Sequence, residues 1–468
     1  MARALIARAI ALADEAPGRS SVRRAEDGQV RTRSDVIEEA GRLAAELDRT
    51  VAADSTILIQ GPSGAGFHAA ILAIWGSGRR ALPLGPLSSE DVQGLIEAHQ
   101  PGARIVTESE SDAPAAGNLP ELVAAFEQSD DRAELDRGGR ASLLLQSSGT
   151  VGHPRLSLRT AEALDRVAST LIETIGLVEA DRILSALPMH HAYGIEHAVM
   201  MPILAGAEVI QMPELRIDIA SELLRDDATI LPSVPPTLEA LGSAPIHDSS
   251  LRLAYTAGSP LPAATRKRFE SAWGVKVGDL YGASEVGTIS WGFDEQTRSV
   301  QGVEVAVADD GELMVRSDAM FVGYLDQCGS EPSRERIRNG WFLTGDLGRT
   351  EDDGVVRLIG RARLQFDVGG LKVNPTDVED VLREHDSIAE VLVGPLPLSE
   401  TVNRVQARIV LEASICADQR DFITDLRRWA RDRLPAHQVP RQFHLVQELP
   451  RTASGKLIRK PPEPASRS

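Results

Sequence analysis

Apolar and polar positions along the chain follow two periods. From Ser34 to Leu47 the apolar residues Val36, Ile37, Ala40, Leu43, Ala44 and Leu47 fall on one face, which predicts an amphipathic helix. Thr56-Ile57-Leu58-Ile59 is a short apolar run and predicts a buried strand. A helix through Phe67 to Trp75 and a second extended piece, Ala81 to Leu84, come next. Strands alternating with helices predict parallel sheets joined by crossover helices, an α/β chain. Glu108 to Asp136, rich in Ser, Asp, Pro and Ala, reads as a loose loop around one short helix. From Ser142 to about Leu358 the alternation continues, with Gly311 to Val315 and Val355 to Ile359 as strands of a β-rich subdomain.

Past Gly360-Arg361 the pattern changes. Asn374 reads as the cap of a helix to His385, with Pro375 at its first position and Asp377 and Glu379 in its first turn. Strands at Glu390 to Val393 and Gln406 to Leu411 and a helix from Asp418 to Leu434 follow. The expected organisation is a large N-terminal domain over 1–360, of helix-flanked sheets plus the β-rich subdomain. A small C-terminal α+β domain covers 361–460, and 461–468 reads as a disordered tail.

Composition narrows the function classes. With 468 residues, 42% hydrophobic and 25% charged, the chain has an ordinary globular make-up and room for about three domains or subdomains. The net charge of −18 disfavours a nucleic-acid partner. Cys328 and Cys416 are the only cysteines, too few for a disulfide framework or a cysteine metal cluster, and fit a reducing compartment. No apolar run reaches the roughly 18 residues of a membrane helix. Arg3, Arg8, Asp14 and Glu15 interrupt the N-terminus, which reads as a surface helix ended near Pro17-Gly18 rather than a signal peptide. A soluble cytoplasmic protein without membrane contact is expected.

Six segments carry candidate chemistry. Leu143 to Gln146 is an apolar strand running into Ser147-Ser148-Gly149-Thr150-Val151-Gly152-His153-Pro154-Arg155, a hydroxyl- and Gly-rich loop ending in a cation. Such a loop can wrap phosphate oxygens, or be a plain turn. Gly61 to Phe67 also looks like a phosphate loop but lacks the Lys-Ser/Thr ending and reads as a strand-to-helix turn. In Leu187-Pro188-Met189-His190-His191-Ala192-Tyr193-Gly194, paired histidines on an extended chain point opposite ways, which disfavours a shared metal. Asp279-Leu280-Tyr281-Gly282-Ala283-Ser284-Glu285 offers a ring, a hydroxyl and a carboxylate suited to a purine, a phosphate and Mg²⁺. Thr344-Gly345-Asp346, with Gly360-Arg361 further on, suits ribose hydroxyls. Leu449 to Lys456 ends a Gly-containing loop in a lysine.

The order SSGTVGHP, LPMHHAYG, YGASE, TGD, GR, PRTASGK resembles the adenylate-forming enzymes. That superfamily contains acyl- and aryl-CoA synthetases, nonribosomal peptide adenylation domains and beetle luciferases. The resemblance spans nearly the whole chain. It implies a large N-terminal and a small mobile C-terminal domain enclosing a site for ATP, Mg²⁺ and a carboxylic acid. Two half-reactions are implied: the acid attacks the α-phosphate to give an acyl-adenylate and pyrophosphate, then a thiol of CoA or of a carrier-protein pantetheine displaces AMP.

Residue by residue, the resemblance assigns Ser147, Ser148, Gly149, Thr150, Gly152 and Arg155 to the phosphate loop, with Thr150 and Glu285 toward Mg²⁺. Gly258, Ser259 and Pro260 match the segment beside adenine. Tyr281 matches the residue stacked on the purine, within the Tyr281-Gly282 turn, and Asp279 the partner of the adenine amino group. Ser284 matches the contact to the α-phosphate, Asp346 and Arg361 the ribose pair, and Lys456 the lysine bridging carboxylate and α-phosphate. His191 lies near the reacting carboxylate, and His190, Ala192, Tyr193 and Gly258 line the acyl pocket, with Val199, Met200 and Tyr255 as further expected lining.

The departures are specific. Arg155 stands where the family usually has Lys, Val151 where it has Thr, Arg363 where its hinge has Asp, and Asp367 where Lys is frequent. The adenylation half is therefore better kept than the thiolation half. Transfer to a thiol stays ahead of transfer to an amine, and ahead of a degenerate chain that only binds nucleotide. His191-Ala192 lacks the aspartate of amino-acid-activating relatives, so an aryl or short-to-medium acyl acid is expected. An acyl carrier protein is a possible partner, and monomer and homodimer stay open.

Overall fold

The computed structural model describes residues 2–85, 93, 95–97, 100–107, 121–123, 141–146, 156–243, 248–294, 296–325, 332–351, 354–361, 366–368, 371–397, 403–412, 419–451 and 457. The chain divides into two compact units. The first is 1–305, 315–343 and 351–356; the second is 306–314, 344–350 and 357–468. The division passes through the strands Val303–Val307, Glu312–Ser317, Trp341–Thr350 and Val356–Arg361.

The first unit holds two large sheets. One has seven strands in the order Gly323–Leu325, Leu156–Thr160, Ser142–Gln146, Arg80–Pro83, Thr56–Gln60, Ala103–Val106, Glu121–Val123. Glu121–Val123 pairs parallel with Ala103–Val106, so the stretch read as a loop around a short helix contains a strand; its flanks lie outside the described residues. The helix Arg33–Thr50 carries the amphipathic face expected of it, closed by a Thr32–Asp35 capping box. The helix Ala65–Gly76 is different. Every residue from Gly66 to Gly76 is buried, as a helix apolar on all sides must be. Its Trp75 indole donates to the Ser142 carbonyl at 3.1 Å.

The second sheet has nine strands in the order Gln296–Ser299, Gly287–Phe293, Val277–Ala283, Leu253–Thr256, Ile230–Ser233, Arg182–Ser185, Glu208–Gln211, Ser20–Arg24, Val30–Thr32. From Val277–Ala283 through Ser20–Arg24 the pairing is parallel. After Arg182–Ser185 the chain crosses to one side, to Glu208–Gln211. After Ile230–Ser233 it crosses to the other, to Leu253–Thr256. The two strands are neighbours, so the order reverses between them, the place at which open α/β sheets hold ligands outside the carboxyl ends of their strands.

The second unit has its own core of Val378, Leu382, Val391, Val405, Ala407, Ile409, Phe422, Leu426, Ala430 and Phe443. Ile388–Pro397 pairs antiparallel with Asn403–Leu411, which pairs parallel with Gln442–Leu445. Helices Pro375–Arg383 and Gln419–Arg433 belong to the same unit. Asn374 is the cap, its side chain accepting from the Thr376 N–H at 3.2 Å. Among the described residues no helix is long and apolar enough to cross a membrane. The tail 461–468 lies outside the described residues.

Candidate active site

Three of the sequence segments emerge at one edge of the nine-stranded sheet. Ala186 to His191 follow Arg182–Ser185, Ala257 to Pro260 follow Leu253–Thr256, and Ser284-Glu285 follow Val277–Ala283. These strands run the same way, so residues about a hundred positions apart share the carboxyl edge where α/β sheets hold ligands.

The histidine pair sits in a turn, not on an extended chain. The Met189 N–H donates to the Ser63 hydroxyl at 3.0 Å, so the Gly61–Phe67 segment, a strand-to-helix turn as expected, also anchors this one. His190 is half-buried, and a Cβ on Gly85 would lie 2.6 Å from its Nε2. His191 is exposed, with the two ring centroids 4.3 Å apart. Burial, and then the charge of His191, push His190 down to about 4, so it is neutral at pH 7. Gly194 opens the following helix under the Pro188 carbonyl, which would lie 2.0 Å from a Cβ there.

Helix Ala192–Ile195 continues through a π-helical turn, Glu196–Met200, into Met201–Ala205. The Tyr193 hydroxyl donates to the Ser233 carbonyl at 3.1 Å, bridging the two strands where the order reverses. Val199 and Met200, expected in the acyl pocket, are instead fully buried in the core that includes Leu43, Ile71 and Val209. The turn directs them to that core and leaves His197 near Tyr255. His197 Nδ1 and the Tyr255 hydroxyl are 2.7 Å apart, and both side chains are fully buried. Burial pushes His197 down to about 3 and Tyr255 well up, so both are neutral. Glu196 pairs with Arg159 of the strand Leu156–Thr160, both buried. The same guanidinium reaches the Val286 carbonyl at 3.5 Å, next to Glu285.

On the nucleotide side, Gly258 has φ +88°, a backbone suited to glycine, and Gly258, Ser259 and Pro260 are exposed. Asp279 is half-buried and pairs with Arg266. A register shift between Tyr281 and Gly282 re-aims the end of that strand, leaving Tyr281 half-buried and Gly282 exposed. Glu285 Oε1 accepts from the Tyr324 hydroxyl at 2.7 Å, and its backbone carbonyl accepts from the Phe321 N–H at 2.6 Å. That fixes the carboxylate. Among the described residues no group of three His, Cys, Asp or Glu could hold a metal. One fixed carboxylate suits Mg²⁺, which is commonly held by one or two carboxylates plus substrate phosphates.

In the second unit, Asp346 lies in Trp341–Thr350 and is 7% exposed, its N–H donating to the Thr344 hydroxyl at 3.0 Å. Gly345 N–H donates to Glu312 Oε1 at 2.6 Å. Arg361 ends the strand Val356–Arg361. The phosphate-loop residues Ser147, Ser148, Gly149, Thr150, Val151, Gly152 and Arg155, the hinge residue Arg363 and Lys456 lie outside the described residues; Asp367 sits in the strand Phe366–Val368. Sequence reasoning missed the Arg159–Glu196 pair and the His197–Tyr255 contact. A charge in the apolar strand Leu156–Thr160, and Glu196-His197 inside an apolar helical run, were the available signals.

A carboxyl edge of this kind, with an order reversal and a fixed carboxylate on the same edge, is the layout of a nucleotide-using α/β enzyme. Residues 11–325 match the family described as AMP-binding enzyme, and residues 377–456 match the AMP-binding enzyme C-terminal domain. The chain belongs to the AMP-binding enzymes, as the motif order indicated. It is 26% identical to malonate–CoA ligase of Arabidopsis thaliana, over 84% of this chain and 75% of that one. It is 27% identical to 2-succinylbenzoate–CoA ligase of Bacillus licheniformis, over 68% of this chain and 69% of that one. The fold resembles ATP-bound MatB from Rhodopseudomonas palustris, with a TM-score of 0.87 at 22% identity over 98% of each chain. It also resembles o-succinylbenzoate CoA synthetase from Bacillus subtilis in complex with the acyl-adenylate intermediate OSB-AMP, with a TM-score of 0.84 at 22% identity over 97% of this chain and 96% of that one. The α/β fold class read from the pattern is thereby borne out.

Proposed function

We propose that this enzyme activates an aryl or short-to-medium acyl carboxylic acid with ATP, releasing pyrophosphate, and passes the acyl group to a thiol. The observation that carries this reading is the convergence of Met189–Tyr193, Ala257–Pro260 and Ser284-Glu285 on one carboxyl edge. A carboxylate oxygen bonds to the α-phosphorus and the bond to pyrophosphate breaks; the thiolate sulfur then bonds to the acyl carbon and AMP leaves. Glu285 and the nucleotide phosphates would hold Mg²⁺, which neutralises phosphate charge when bound. Lys456 is assigned to the charge that develops at phosphorus in the first step. His191, exposed at the carboxyl edge, is assigned to the acid, and Asp346 and Arg361 to the ribose. The work divides between residues 1–360, which bind nucleotide and acid, and 361–460, which carry Lys456.

The acceptor is CoA, as in the named activities of the curated relatives, or a carrier-protein pantetheine. The test is pyrophosphate release with ATP and Mg²⁺ over aryl, short-chain and medium-chain acids, followed by AMP release on adding CoA, a pantetheinylated carrier or an amine. Activity with one acid class and thiol-dependent AMP release are expected. Pyrophosphate silence across the panel overturns the adenylation reading. Amine-dependent AMP release without a thiol response overturns the thiol assignment alone.

A further inference from the structure

His197 carries a buried polar atom without a partner. Its Nδ1 meets the Tyr255 hydroxyl at 2.7 Å, while its Nε2 is buried and has no hydrogen bond among the described residues. Leaving such a group unpaired costs about 1–3 kcal/mol, so an unpaired atom in a native interior calls for an explanation. The tautomer follows from counting. If the Tyr255 hydroxyl donates to Nδ1, the ring proton sits on Nε2 and one donor is left over. If Nδ1–H donates to Tyr255, both the phenol proton and the Nε2 lone pair are left over. The first arrangement is the cheaper one, and it makes Nε2 an N–H donor.

The surroundings are largely aromatic. Tyr193 packs edge-on to the imidazole at 4.7 Å, and Trp291 packs edge-on to Tyr255 at 5.5 Å. Both histidine partners lie at the carboxyl edge of the sheet: Tyr255 is one residue from the end of Leu253–Thr256, and Tyr193 holds the Ser233 carbonyl. A largely apolar lining with a few placed polar groups is the ordinary make-up of a small-molecule site. His197 also sits in a π-helical turn, an irregularity frequent at functional sites.

We propose that His197 is a specificity-determining residue for the acid: its Nε2–H donates to a neutral oxygen acceptor, a ketone, ether or ester oxygen, carried by the acyl group away from its carboxylate. This rests on the adenylation reading above. A second carboxylate is the poorer fit, because Arg159, the buried cation that reaches this helical turn, is already paired with Glu196. His197 lies six positions beyond His191, across the helix Ala192–Ile195 and into the π-helical turn, so more than one turn separates them. The acceptor therefore lies several bonds from the reacting carboxylate.

The test uses the full-length enzyme, ATP and Mg²⁺ with pairs of acids matched in size: 5-oxohexanoate against hexanoate, and 4-acetylbenzoate against 4-isopropylbenzoate. The keto member should be favoured in kcat/KM by about tenfold or more, because a site built around a hydrogen bond rejects the analogue lacking it. In His197→Phe the preference should vanish while the apolar member is still turned over, and His197→Gln should restore part of it. Pyrophosphate release without preference in the wild type, or a preference that survives in His197→Phe, overturns the inference and leaves adenylation standing. Silence with every acid overturns adenylation and this inference together. Thermal melts of both variants show whether loss of preference comes with loss of fold, and a folded His197→Phe that still discriminates counts against the proposal.

Discussion

Glu285 and Lys456 are the residues whose proposed roles a single substitution tests. Tyr324 fixes one oxygen of Glu285 at 2.7 Å. Glu285→Gln keeps that bond and removes the charge, so the Mg²⁺ concentration for half-maximal pyrophosphate release should rise about tenfold or more with the fold intact. A Mg²⁺ titration superimposable on the wild type would remove Glu285 from the metal. Lys456→Ala should cut pyrophosphate release by about a thousandfold, comparable to loss of one preorganised donor, while isothermal titration still registers ATP. Residue types at both positions were legible in the sequence because each sits in a short local motif. His197 was not. Its partner Tyr255 is 58 positions away, and only the sheet order brings them together.

Between elements, the Arg159–Glu196 pair ties the strand Leu156–Thr160 to the helical segment after His191, and Arg159 also touches the carbonyl beside Glu285. Removing one partner of a buried pair strands the other charge. Arg159→Met or Glu196→Met alone should each destabilise by about 3–5 kcal/mol, and the double variant should recover most of it. Urea melts of the three variants read this directly; additive losses in the double variant would mean the two groups do not act as a pair. The helices and strands themselves were readable, since their periods are local. Arg33–Thr50, Ala65–Gly76 and Gln419–Arg433 fall within a few residues of expectation. The strand Glu121–Val123 was missed because three residues hold no period; its place comes from pairing with Ala103–Val106.

Across the described residues, three histidines are held neutral by burial, His68 and His197 fully buried and His190 half-buried. Burial lowers His68 to about 4, His190 to about 4 and His197 to about 3, against 6.5 unfolded. Between pH 6.5 and 4 the unfolded chain binds protons at these sites that the native chain does not, so stability rises with pH and is lost as pH falls. Each contributes up to about 1.4 kcal/mol per pH unit. Three carboxyls oppose them. Burial raises Asp165 to about 6, so the native state binds the extra proton between 3.8 and 6, and its contribution fades as pH rises; burial also raises Glu196 and Asp377. The three histidine shifts span pH 6.5 to 4 and are expected to dominate above the carboxylate range, so urea midpoints should fall between pH 6.5 and pH 5. The fall should be shallower in His68→Gln. Equal midpoints at the two pH values would refute the balance. Fold class and family were legible at this scale from the order of motifs, whereas the convergence of three of them on one edge required the strand order.

The helix Ala65–Gly76 has no side that faces water from Gly66 onward. Amphipathic helices such as Arg33–Thr50 let sequences drift along their wet face, so a mutational scan across them shows tolerance that rises and falls every three to four positions. Here that rhythm should be missing. Polar replacements should be depleted at every position in turn, giving a flat trough in the tolerance profile, and the segment should diverge more slowly than the other helices as the sequence evolves.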